Sequence, residues 1–382
     1  MPSNTLNRQI CRSQETVTEF ESFIHSRVPL KLDEQKESAA QAIFVEDGSD
    51  RETLPDGFVE IQPKAFGVVS NAKGETPVNE YAGIIVATGL GVSTLKVGDR
   101  VVGWTEAFYA NRPRVPALQV QLLPDQTPFT VAAALPVSFM TACHALISIA
   151  DIQPGQLILV DGAASEVGQA AAAVARHLGA SVIAAVGSSD EAKFLEDSFQ
   201  MVSTHIVARN SPFVKEQLRK VISGSGVDVV LGCVRSPVPD GIMKMLKPFG
   251  TLVQIRSRGN NQPPNGTVST FDLGSLLKSN PQKASWLLKQ VVQCINQGLP
   301  LSPLKMVTLP MDGFEEALKQ SRHDSMSKYV VQVEDDSIVK SARPAHTLPR
   351  LEPNATYVIA GGLGDWDEGC YGLWRRLERD TS

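Results

Sequence analysis

Between Gln153 and Ile255, short β-branched runs alternate with helical segments, and no other feature restricts the fold so tightly. The runs at 157–160, 181–186, 205–208, 227–232 and 250–255 read as strands, and 168–178, 191–199, 212–222 and 239–246 carry helical patterning. Such repetition gives a parallel, doubly wound sheet with helices on both faces, because each right-handed crossover returns the chain beside an earlier strand.

At 382 residues the chain exceeds the roughly 250 to 300 residues that one hydrophobic core organises, so a second compact unit is expected. The residues ahead of the alternation supply it. PDGFVEIQPKAFGVV alternates like a strand, and YAGIIVATGLGVSTLKVGDRVVGW adds two β-branched runs, with Lys96-Val97-Gly98-Asp99-Arg100 turning before the second. TPFTVAAALPVSFMTACHALISIADI then changes to helical spacing, with Thr130 as an N-cap and Pro136 as a break. Past Gly259, GNNQPPNG is a turn-rich connector, followed by an amphipathic helix over 285–297 and a strand over 328–333. The β-rich lobe is therefore expected to be split in sequence, with the doubly wound unit inserted into it. The expected limits are a linker or disordered remnant over 1–42, the β-rich lobe over 43–150, the parallel sheet over 151–260, a return to the first lobe over 261–335, and a linker with a further remnant over 336–382.

With 42% hydrophobic and 20% charged residues the chain is expected to fold. A net charge of −5, and no Lys/Arg run interleaved with aromatics, argue against nucleic acid as a partner. No signal-like apolar segment opens the chain and no stretch reaches the roughly 18 apolar residues of a membrane span, so no membrane partner is expected and the cytoplasm is the default location. The five cysteines, Cys11, Cys143, Cys233, Cys294 and Cys370, are scattered without metal-ligand or disulfide spacing.

In order and spacing, PDGFVEIQPKAFG, YAGIIVATG, LKVGDRVVGW, AAALPVSFMTACHALISIADIQPGQLILV, VGQAAAAVARHLGA and GVDVVL resemble the enoyl reductase segment of fungal highly reducing polyketide synthases over roughly residues 43 to 335. The tail SKYVVQVEDDSIVKSARPAHTLPRLEPNATYVIAGGLG is similar to the reductase end and the first strand of the ketoreductase that follows it, although the second Gly-Leu-Gly of that domain is absent. The resemblance implies the medium-chain reductase fold, an α/β architecture in which a Rossmann doubly wound sheet is inserted into a GroES-like lobe. It implies NADPH as cofactor and hydride transfer to the β-carbon of an α,β-unsaturated acyl thioester, followed by protonation at the α-carbon. The acyl chain would come on a carrier protein or on a polyketide synthase in trans, and a second copy of the chain is a further candidate partner. Many relatives hold zinc with Cys, a Gly-His-Glu motif and a four-Cys lobe; this sequence has none of these, so no metal ligand is assigned.

The resemblance places the cofactor pyrophosphate on the turn ending in Ala163, Ala164, Ser165, Glu166, Val167 and Gly168, where small residues let backbone amides approach a phosphate. Ser165 and Glu166 stand where the family has adjacent glycines. A carboxylate about 4 Å from a phosphate would cost on the order of 4 kcal/mol at an effective dielectric near 20, unless Glu166 turns to solvent at the helix N-terminus. Gly187 and Ser188 match the turn that takes the adenosine 2′-phosphate. Lys193 is the candidate cation there, lying later than the family's basic pair, with Asp190 and Glu191 intervening. The family's G-L-N-[FY]-R-D segment is replaced by residues 68–73, and its G-K-x-D by Arg256-Ser257-Arg258-Gly259, so Ser257 takes the place of a proposed proton-donating Lys. The Asp that partners this Lys is preserved as Asp272, which reads otherwise as a cap. Arg176 and His177 read as helix-surface residues. Three functions remain open: a working enoyl-thioester reductase, a fold-intact but impaired remnant or scaffold of a synthase, and a free-standing quinone oxidoreductase.

Overall fold

The computed structural model describes residues 16–26, 29–33, 41–47, 53–69, 78–107, 109–222, 226–234, 236–255, 266–300 and 304–344. The alternation yields a six-stranded, wholly parallel sheet. Its order is Ile206–Ala208, Ser181–Val186, Leu157–Asp161, Val227–Gly232, Leu246–Ile255 and Thr267–Phe271. The strand order reverses beside Leu157–Asp161, and doubly wound sheets bind their ligands at the carboxyl ends of strands flanking such a switch point.

Helices Glu166–His177, Ser189–Phe199 and Pro281–Asn296 bury Ala170, Val174, Leu195, Leu287 and Val291 on one face of this sheet. Helices Val214–Val221 and Asp240–Met243 cover the other with Val214, Leu218 and Ile242. Strand residues alternate between the two cores: Ala184 joins the first and Ala185 the second, as period-two geometry requires.

The second lobe is a seven-stranded sheet ordered Met306–Pro310, Lys328–Gln332, Phe58–Val68, Asn79–Thr88, Arg100–Thr105 and Val120–Leu122, with Arg114–Pro116 paired to Phe58–Val68. Gly98, in the turn before Arg100–Thr105, has φ +91°, which a side chain would strain. The helical stretch breaks where the sequence places Pro136: Phe129–Ala133 ends, Pro136–Cys143 begins at Leu135, and a π-helical turn follows over His144–Ile149. Pro128 occupies the cap position of the first piece, not Thr130.

Three limits differ from expectation. First, the segment expected as linker holds strands Thr16–Ser22 and Leu30–Leu32, which join Ile43–Glu46 and Ile338–Pro344 in a four-stranded sheet, so 336–344 is not linker either. The cause is aromatic packing. Phe23, Phe44, Phe66, Tyr109 and Phe314 meet edge to face with centroids 5.0 to 6.2 Å apart. Each such pair contributes about 0.5–1.5 kcal/mol beyond area burial, enough to hold a polar segment against the β-rich lobe. Second, the nucleotide-type unit runs past residue 260: Thr267–Phe271 is its sixth strand, and helices Leu273–Ser279 and Pro281–Asn296 pack on its core before the chain returns at Met306. Third, the helix expected over 239–246 is only Asp240–Met243, because Leu246–Ile255 already pairs as a strand.

Candidate functional site

A cavity of about 520 Å³ lies between the lobes, where the carboxyl ends of the parallel strands face the β-rich sheet. Val69, Val137, Val167, Val234, Ile255 and Leu273 give it apolar walls. Ser165 and Glu166 enter from the first turn of helix Glu166–His177, and Arg322, His323 and Ser325 from the loop before strand Lys328–Gln332.

The turn feeding that helix is built for close approach. Gly162 has φ +82°, and a Cβ on Gly168 would lie 2.2 Å from the Gly162 carbonyl. Ala163 and Ala164 are fully buried beneath the turn. Ser165 is the N-cap: its Oγ accepts from the Gly168 amide at 3.1 Å and donates to the Gly162 carbonyl at 2.7 Å. The Glu166 amide donates to the Ser325 carbonyl at 3.0 Å. Gln169 ties the same turn to the other lobe, donating to the Met326 carbonyl at 2.6 Å and accepting from the Lys305 amide at 3.0 Å.

The Glu166 side chain follows neither course foreseen for it. Its carboxylate reaches across the cleft to Lys328 Nζ at 3.2 Å, with Ser138 Oγ at 3.5 Å. Lys328 also pairs with the fully buried Glu80 and donates to the Val68 carbonyl at 3.3 Å, while the second oxygen of Glu80 accepts from the Val137 amide at 2.8 Å. Burial alone would lower the Lys328 ammonium, but the charges of Glu166 and Glu80 outweigh it and hold it at about 12. Glu166 moves the other way from a typical paired acid: burial raises its carboxyl, Lys328 offsets only part, and Glu80's charge raises it further. One cation shared by two carboxylates benefits from both, whereas each carboxylate also feels the other.

At the second helix, Ser188 Oγ accepts from the Glu191 amide at 3.2 Å and Glu191 Oε2 accepts from the Gly187 amide at 2.8 Å, a variant of the capping box in which the acid takes the amide one residue before the cap. Lys193 is exposed on helix Ser189–Phe199, two positions beyond Glu191 and so on another side of the helix. Asp161, fully buried at the end of its strand, takes Arg209 in a two-point pair, Nε to Oδ1 at 2.7 Å and Nη2 to Oδ2 at 3.0 Å. Arg209 also donates to Ser236 Oγ at 3.1 Å.

Asp272 is a cap, its Oδ1 accepting from the Ser275 amide at 2.8 Å at the head of helix Leu273–Ser279. Ser257, Arg256 and Arg258 lie outside the described residues, as do positions 70–73 of the altered segment. His177 Nε2 meets Gln297 Oε1 at 3.3 Å, and Arg176 donates to the Phe199 carbonyl at 2.9 Å. The structure thus gathers Ser165, Glu166 and Val167 at the cleft, sets Gly187, Ser188 and Lys193 at the neighbouring helix, and leaves Asp272 beside Leu273 of the cleft wall. Sequence reading missed Glu80, Lys328, Asp161 and Arg209. The one signal for the first two was a single charge in each of two strand sequences with apolar centres, NEYAGIIVAT and KYVVQ.

A dinucleotide fits this frame in part. The glycine turn suits a pyrophosphate, yet one amide of that turn already donates to Ser325, and Glu191 stands at the turn assigned to the 2′-phosphate. Among the described residues no three His, Cys, Asp or Glu side chains converge as a metal site, and no helix is long and apolar enough to cross a membrane.

A family profile described as zinc-binding dehydrogenase matches residues 167–289, most of the parallel-sheet unit. The highly reducing polyketide synthase sdnO of Sordaria araneosa is 49% identical over 96% of this chain, and SAT13 of Stachybotrys chartarum is 41% identical over 96%. The chain spans 12% and 16% of the length of those synthases. Among solved structures, the CurK enoyl reductase superposes with a TM-score of 0.69 at 27% identity, covering 80% of this chain and 99% of that one. In fold and in sequence the chain belongs to the enoyl reductases of the medium-chain dehydrogenase/reductase family, in the form carried by fungal highly reducing polyketide synthases.

Proposed function

We propose that the chain is an enoyl-thioester reductase unit of polyketide synthesis, acting on α,β-unsaturated acyl chains delivered by a carrier protein. The observation that carries this reading is the apolar interlobe cavity opening onto the glycine turn of helix Glu166–His177. Its valine, isoleucine and leucine walls suit an acyl chain and keep water from it. A bound reduced nicotinamide dinucleotide, NADPH by the family resemblance, would supply the hydride. Val167 and the turn Ala163–Gly168 would orient it, and Lys328 paired with Glu166 across the cleft would hold the two lobes at a fixed separation. Asp272 already serves as a cap, so the proton for the α-carbon is expected to come from another group or from solvent.

The test is dinucleotide oxidation dependent on a crotonyl-type thioester, with NADPH and NADH each supplied, and the saturated thioester identified as product. No thioester-dependent oxidation with either, in protein that binds the dinucleotide, favours the second reading, an impaired reductase. That reading rests on the Ser325 carbonyl, which takes the Glu166 amide of the phosphate turn, and on the Glu166 carboxylate, which is tied across the cleft to Lys328.

A further inference from the structure

The adenosine end of the cleft carries an excess of negative charge on the side where a 2′-phosphate would sit. Gly187 and Ser188 end the second strand of the parallel sheet, and Glu191 folds back over them, its Oε2 on the Gly187 amide at 2.8 Å. A Cβ on Gly187 would lie 3.5 Å from Glu191 Oε1. The carboxylate is therefore directly over the turn, and with one amide bond made it keeps further acceptor positions. The Ser188 hydroxyl oxygen accepts from the Glu191 amide at 3.2 Å, leaving its single proton to donate.

The nearest guanidinium does not offset this. Arg209 sits at the end of the adjacent strand with both arms on buried Asp161. Its hydrogen bonds to Asp161, and after them the charges of Asp161 and Glu191, hold it above its ordinary value against burial. Asp161 and Glu191 against Arg209 leave one net negative charge (−2 + 1 = −1). Lys193 lies on another side of its helix. Arg209 also lines, with Lys215, Glu216 and Lys244, a cavity of about 410 Å³ whose helices Val214–Val221 and Asp240–Met243 pack on the face of the sheet opposite helix Ser189–Phe199, so those two lysines stand on Arg209's far side from Glu191.

In doubly wound folds an acid some 20 residues past the glycine turn accepts the adenosine ribose hydroxyls, whereas a free arginine there accommodates a 2′-phosphate. Glu191 lies 23 residues past Gly168 (191 − 168 = 23). We propose that Glu191 is a specificity-determining residue that accepts the adenosine ribose diol and rejects a 2′-phosphate, so that this reductase takes NADH in place of the NADPH its family resemblance implies. The proposal rests on the reductase reading, since it needs a dinucleotide in the cleft.

The test is calorimetric titration of the full chain with 5′-ADP and with 2′,5′-ADP, for the wild type, Glu191→Gln and Glu191→Lys. Gln can still complete the capping box, and thermal denaturation checks that each variant is folded. The wild type is expected to favour 5′-ADP by at least about tenfold, equivalent to roughly 1.4 kcal/mol; Glu191→Gln narrows the ratio and Glu191→Lys inverts it. If 5′-ADP binds but the wild type does not discriminate, or the ratio is the same in all three proteins, the selection by Glu191 is overturned and the reductase reading stands. If neither nucleotide binds any of the three, the reductase reading falls and the selection with it.

Discussion

The helices that follow the first and second strands of the parallel sheet open with the same local grammar, a serine N-cap and a glutamate in the first turn, and use the acid differently. In helix Ser189–Phe199 the glutamate stays local and caps its own N-terminus. In helix Glu166–His177 it leaves the helix, crosses the cleft and joins Lys328 and Glu80. Sequence spacing explains the first: Glu191 is three residues past Ser188, the position from which a carboxylate reaches back. Glu166 is one residue past Ser165, where it cannot close a box, and a cation from the other lobe takes it. A first-turn acid is thus a cap when its register allows, and otherwise a link for whatever charge the tertiary fold supplies.

The comparison can be broken at its centre. Replacing Lys328 by Met leaves Glu80 buried without a cation and Glu166 without its partner, and is expected to cost about 3–5 kcal/mol, read as a lower denaturant midpoint. Adding Glu80→Gln to that variant should recover part of the loss; no recovery would mean that Lys328 acts by packing alone. The sign with pH is set by Lys328's rise to about 12 from its ordinary 10.5. The folded state holds this proton more tightly, so the contribution is complete below 10.5 and disappears as pH rises through about 12.

A smaller effect is expected where the turn meets its ligand. Ser165→Gly with Glu166→Gly removes a hydroxyl from the phosphate turn and a carboxylate from the cleft beside it, and should tighten dinucleotide binding by about tenfold, or 1.4 kcal/mol, in a calorimetric titration. An unchanged dissociation constant would show that Glu166, held by Lys328, is already out of a phosphate's way.

These two effects also show what could be read in advance. All five strands expected between 157 and 255 are present, because all but the central pair of Leu157–Asp161 with Val227–Gly232 lie beside their sequence neighbours and the β-branched runs are bounded by glycine and polar turns. The destination of Glu166 was not legible, since it depends on a lysine 162 residues later. The strand Thr16–Ser22 was missed for the same reason. It is short and mixed, with only Val17 and Phe20 apolar, and what orders it is pairing with Ile338–Pro344 and the burial of Phe23, neither visible in a local pattern. At the adenosine end, Ser188 and Glu191 were both noted from sequence, but that the acid covers the turn came only from the capping geometry.

Ser188→Ala is expected to remove about 1 kcal/mol by deleting one half of the capping box, seen as a lower melting temperature without change in the Lys328 network. The smallest effect belongs to Glu166→Gln. Burial raises the Glu166 carboxyl above its ordinary 4.5, so the folded state binds this proton more tightly and stability declines as pH rises from 4.5 through the raised value. The Gln variant should lose that decline while changing stability by less than about 1 kcal/mol at neutral pH, checked by unfolding at a series of pH values.

The strands Thr16–Ser22 and Ile338–Pro344 pair antiparallel with Thr16 opposite Pro344 and Ser22 opposite Ile338. Under tension applied at residues 16 and 344, both ends would be drawn from the same side of the ladder. The ladder would then open one rung at a time, like a zip, instead of resisting as a block in shear. A tug at these ends would peel Thr16–Ser22 from Ile338–Pro344 at low force, before the load reached the aromatic cluster that begins at Phe23 or the parallel sheet beyond.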